Sequence, residues 1–103
     1  MEREKENYIV YLNDKAKTEL NQIMEYLFVS GYGEVLEGFI DELDIIINRL
    51  SDCQELHTIQ VKNYRRTLFK RFDYSVYYYI SEENHTVIIT SIVHQKRHPK
   101  AWK

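Results

Sequence analysis

"YRRTLFKRFDYSVYYYI", residues 64–80, is where the chain changes its period. Ahead of it apolar residues recur every three to four positions; from here on they alternate with polar ones or run together as Tyr, Val and Ile. Runs of β-branched and aromatic residues bounded by polar turns read as strands. "YSVYYYI" (74–80) is the strongest of them, preceded by "YRRTLFKRF" (64–72), in which basic and apolar positions alternate. After the polar turn "SEENH" (81–85), "TVIITSIVH" (86–94) closes the series. Three consecutive strands joined by tight turns predict an antiparallel meander.

Toward the N-terminus, "TIQV" (58–61) is a short strand candidate behind the loop "SDCQELH". Before that loop, Val35, Leu36, Phe39, Ile40, Leu43, Ile46, Ile47 and Leu50 share one face of a helix. The acids Glu34, Glu37, Asp41, Glu42 and Asp44 fall mostly on its other face. "SGYG" (30–33) separates this helix from an earlier one over 14–29, with Ala16, Leu20, Ile23, Met24, Leu27 and Phe28 at helical spacing. Asn13 or Asp14 can cap that first helix, since their side-chain oxygens accept from exposed first-turn amides. "NYIVYL" (7–12) reads as an opening strand. The order β-α-α-β-β-β defines an α+β domain: a helical hairpin packed on one face of a twisted antiparallel sheet, the first strand at an edge.

At 103 residues the chain has room for one core and reads as a single domain, 1–103. Its apolar runs are too short to span a bilayer. The charged start "MEREKEN" lacks the apolar run of a secretory signal. One cysteine, Cys53, forms no internal disulfide, which fits a reducing cytoplasm. The net charge of −2 conceals a split. Residues 1–55 carry 13 acids against 5 Lys/Arg, or −8, whereas residues 56–103 carry 3 against 9, or +6. Charge acts within a Debye length of about 8–10 Å, so the basic half can meet an anionic or protein partner whatever the overall balance.

On an ideal strand Arg66, Leu68 and Lys70 point one way, and Arg65, Thr67, Phe69 and Arg71 the other. Such a face suits a polyanion or a partner; it also suits a plain solvated strand whose cations discourage edge-to-edge pairing. Tyr74 and Tyr78 alternate with Tyr77 and Tyr79, so one pair packs under the helices. His94 ends the last strand, where it can work as acid or base near neutral pH or serve as a bonded structural histidine. His94 and His98 lack a metal-site pattern, and no phosphate-binding Gly loop or nucleophile elbow occurs. Neither a metal nor a cofactor is expected.

The ordered set Tyr64-Arg65-Arg66, "FDYSVYYYI" and the ending His94, Arg97, Pro99, Trp102 resembles the RelE/ParE superfamily, the toxins of type II toxin–antitoxin and plasmid-stabilisation modules. The likeness runs over nearly the whole chain. It implies the α+β fold above, growth inhibition in the cytoplasm, a cognate antitoxin as partner, and no membrane association. It leaves open a homodimer or a heterotetramer with the antitoxin. RelE-like members are mRNA interferases, endoribonucleases that cut mRNA on the ribosome by attack of a 2′-hydroxyl; ParE-like members inhibit DNA gyrase. Carried across, Arg65 matches a central-strand arginine and His94 a catalytic histidine of some nuclease relatives. Arg66, Lys70, Lys96, Arg97 and Trp102 stand as target- or phosphate-binding residues. Gln95 replaces a tyrosine of the histidine-bearing nucleases, and Trp102 stands near another relative's tyrosine, which an indole cannot replace as proton carrier. The ending therefore leans toward a ParE-like gyrase inhibitor, with the ribonuclease as the alternative.

Overall fold

Asn13 ends one element and starts the next. Its side-chain oxygen accepts from the Ala16 N–H at 2.9 Å, so the opening strand, β1 (Ile9–Leu12), passes directly into α1 (Asp14–Ser30). The computed structural model describes residues 8–31, 33–52, 59–61, 64–81 and 83–95. Gly31 closes α1: its N–H donates to the Leu27 carbonyl, and a Cβ there would stand 2.9 Å from that same oxygen. The second helix, α2 (Gly33–Asp52), returns antiparallel as expected for so short a connection. Then come β2 (Ile59–Val61), β3 (Tyr64–Leu68), β4 (Tyr74–Ser81) and β5 (Thr86–His94).

The five strands form one sheet in the order β1-β5-β4-β3-β2. The last three strands make the expected antiparallel meander, and β1 sits at an edge. The expectation of a wholly antiparallel sheet needs one correction, because β1 runs parallel to β5, with Ile9 beside Thr86 and Leu12 beside Ile89. The cause is the connection: both helices and three strands separate β1 from β5 along the chain, so no hairpin turn dictates their relative direction. At its start β1 is tied to the end of α2, where the Ser51 hydroxyl donates to the Tyr8 carbonyl and the Tyr8 N–H donates to the Ser51 carbonyl.

Both helices lie on one face of the sheet, the front. Ala16, Ile23 and Leu27 of α1 and Phe39, Leu43, Ile46 and Leu50 of α2 are buried there with Val76, Tyr78, Val87, Ile89 and Ile92. Tyr74 and Tyr78 are thus the pair under the helices, while Tyr77 packs with Val93 and Tyr64 on the back. Phe28 and Ile40, placed by periodicity on the apolar faces, are instead 66% and 43% exposed. A bulge in β5 makes the front continuous. Tyr77 lies opposite Ser91 and Tyr78 opposite Ile89, so Thr90 is an extra residue. Unbroken alternation would send Ile89 and Ile92 to opposite faces; the extra residue lets both reach the core.

The strand expected over 64–72 stops at Leu68, and residues 69–73 turn the chain instead. Glu42 of α2 holds this turn. It is buried, contrary to the outer face that its charge suggested, and it accepts from the Lys70 and Arg71 backbone N–H groups. Lys70 and Arg71 are accordingly turn residues, not members of an alternating strand face. Beneath the turn, Phe39 stacks on Phe69 at 4.7 Å, with Phe72 and Tyr74 edge-on to Phe39.

Candidate functional site

Cross-strand register places the basic residues. Arg65 lies opposite Tyr78, which lies opposite Ile89, and this row faces the front. The next row is Thr67, Val76 and Ile92; the one after it pairs Tyr74 with His94. Arg65 and His94 therefore share a face but sit on β3 and β5, on either side of β4. Four residues along β4 at about 3.3 Å each and two strand spacings of about 4.8 Å separate their backbones by about 16 Å. Arg66 pairs with Tyr77 and projects from the back, fully opposed to Arg65. Lys70 stands in the turn held by Glu42. Lys96, Arg97 and Trp102, together with His98 and Pro99, lie outside the described residues.

His94 lines an open cavity of about 240 Å³ between α1 and the ends of β4 and β5. Glu19 and Tyr26 of α1 also line it, as does Tyr74, whose ring meets the His94 ring edge-on at 5.4 Å. Burial, with Tyr26 close by, raises the Tyr74 phenol above its ordinary pKa. Tyr78 is fully buried beside Arg65; burial pushes its phenol far up, and the nearby guanidinium offsets only part of that shift.

The wall of the His94 cavity is set by contacts that residue type alone did not reveal. Glu19 accepts from the Ser91 hydroxyl at 2.9 Å and from the Ile92 N–H at 3.0 Å. Lys15 donates to Glu19 and to Ser91 Oγ, each at 3.0 Å. Ser91 and Ile92 follow the bulge residue Thr90, and Glu19 takes up the Ile92 amide there. The carboxylate thus fixes α1 to β5 next to His94. Its sequence signal is faint: an i, i+4 Lys-Glu pair that equally suits a solvated helix face.

A helical hairpin on the front of a five-stranded mixed sheet, with half-buried Arg65 on the central rows and His94 at the strand ends, has known structural counterparts. The chain is similar to a protein of the chromosomal ParDE toxin–antitoxin system of Pseudomonas aeruginosa, with TM-score 0.71 and 14% identity over 84% of this chain and 95% of that one. It is similar to a chain of the RelBE2 toxin–antitoxin complex of Mycobacterium tuberculosis, with TM-score 0.60 and 16% identity over 93% of this chain and 100% of that one. The isolated Escherichia coli RelE toxin also superposes, with TM-score 0.60 and 14% identity over 91% of this chain and 90% of that one. The fold is that of the RelE/ParE superfamily. Residues 10–99 match the family described as ParE toxin of type II toxin–antitoxin system, parDE, and the chain belongs to that family. No match was found among curated protein sequences.

Proposed function

We propose that this toxin arrests growth by binding a protein target, DNA gyrase, in the ParE-like manner, and that a cognate antitoxin neutralises it in the cytoplasm. The observation that carries the reading is the separation of Arg65 from His94. Cleavage by a 2′-hydroxyl needs a proton acceptor and a charge stabiliser that both come within about 3 Å of one ribose–phosphate unit. Arg65 cannot itself be the base, because its guanidinium stays protonated. Its backbone is about 16 Å from that of His94, with the Thr67–Val76–Ile92 row between them.

Surface chemistry supports a protein partner. Tyr26, Phe28 and Val29 on α1 and Ile40 on α2 are exposed, a density of apolar side chains that marks contact surfaces. The ribonuclease reading is favoured by one feature: Arg65, Tyr78, Tyr74 and His94 share the front face, and His94 opens to a cavity. Growth assays of Arg65→Ala and His94→Ala separate the two. A gyrase inhibitor retains its toxicity in both variants, whereas loss of toxicity in both folded variants overturns that reading in favour of cleavage.

A further inference from the structure

The start of α2 opens into a groove of about 730 Å³, larger than the His94 cavity. Leu36 and Ile40, one turn apart, are its apolar lining, and Glu34 and Glu37 line it with them. Ile40 is 43% exposed, and α1, one short connection earlier, ends with Phe28 and Val29 still more open to solvent. Helical spacing continues the acidic line: Glu34, Glu37, Asp41 and Asp44 recur at three and four residues along one side of α2. They span about 15 Å of its axis. All four are exposed, and none has an ion-pair partner among the described residues.

We propose that this groove is where the toxin meets gyrase, by taking a lysine- or arginine-bearing segment whose apolar side chain enters beside Leu36 and Ile40. The assignment rests on the gyrase reading above and adds the face of the toxin and the chemistry of the contact. Charge complementarity selects the occupant. An enzyme that handles DNA carries cationic surface to meet phosphates, and such a surface attracts a line of free carboxylates. Nucleic acid is repelled by the same line, and a second copy meeting it groove to groove would set acids against acids. The apolar lining supplies what charge alone does not, because solvent-exposed ion pairs contribute little and buried aliphatic groups contribute more.

The test is isothermal titration of the full-length toxin into purified gyrase at low and high salt. Wild type is compared with the double variant Glu34→Gln/Glu37→Gln and with Ile40→Ser. The expected result is wild-type binding that weakens as salt rises. The double variant should lose about 10- to 100-fold, with a flatter salt response, and Ile40→Ser about 5- to 10-fold. Glu83→Gln, in the β4–β5 turn, controls for loss of charge elsewhere and should bind within about twofold of wild type. Folding is checked by circular dichroism; the amides keep the shape of exposed side chains, so the double variant decides the matter if Ile40→Ser does not fold. Binding within about twofold of wild type in the folded groove variants overturns the assignment and leaves gyrase as the target. Equal losses in Glu83→Gln and the double variant would show a general charge effect and overturn it as well. Failure of the wild type to bind gyrase removes the gyrase reading, and the groove assignment with it.

Discussion

Glu42 is the residue whose role departs most from its type. A carboxylate on an acidic helix reads as solvent-facing, yet this one is buried and accepts two backbone amides of the β3–β4 turn. Glu42→Gln keeps the shape but turns an acceptor into a donor at one of those amides, at a cost of about 1–3 kcal/mol. Thermal melts should then fall by about 4–8 °C for each kcal/mol, and an unchanged melting temperature would mean that the turn is held by other contacts. Thr86 is the opposite case. Its hydroxyl is buried and has no hydrogen-bond partner among the described residues. Thr86→Val preserves the shape and removes the stranded hydroxyl, so the melting temperature should rise, by the equivalent of about 1 kcal/mol. A fall would show that the hydroxyl is bonded in solution. Tyr78 and Tyr74 give the pH dependence. Burial raises both phenols, so the unfolded chain loses these protons near the ordinary value of about 10 while the folded chain keeps them. Their contribution is fully present below that pH and is lost as pH rises beyond it. Melts should be flat from neutral pH to about 9 and then fall, with a shallower fall in Tyr78→Phe. Full tyrosinate absorbance at pH 10–11 without unfolding would contradict this.

At the scale of elements, α1 and α2 were legible because helical periodicity and the Asn13 cap are local signals. The meander was legible for the same reason: residues 74–80 and 86–94 are dense in strand formers and separated by a polar turn. Three things were not. The parallel direction of β1 depends on where a distant strand leaves room at an edge, and four residues of sequence contain no trace of it. The bulge at Thr90 sits in "ITSI", whose small polar residues fit either parity. The early end of β3 follows from Glu42, a residue 28 positions from Lys70, pulling the turn amides onto α2. The α1–β5 tie is the element-scale prediction. Glu19→Ala strands the Ile92 amide and frees Lys15 and Ser91, and should cost about 1–3 kcal/mol. Because the bond lies beside His94, the His94 ring signals in NMR should shift as well. Signals that stay fixed while stability falls would place the tie outside the cavity wall.

Over the whole molecule, the charge split seen in the sequence becomes a partition by element. The two helices hold most of the acids, and the described basic residues of the second half lie on β3 and its turn. The candidate site was legible one residue at a time, since Arg65 and His94 are chemically capable groups on strands. Their relation was not legible, because it is fixed by register across three strands: Arg65 with Tyr78, and His94 with Tyr74. That relation shifts the weight from a cleavage site toward surfaces that bind proteins. Exposed Phe28 and Val29 on the hairpin form an apolar patch of the kind that marks contact surfaces. The most direct test is DNA supercoiling by purified gyrase, run beside a translating-ribosome assay of mRNA cleavage with the same toxin preparation. The account predicts that the toxin stalls supercoiling, that antitoxin relieves the block, and that mRNA stays intact. Unimpeded supercoiling with mRNA cut on the ribosome would contradict it.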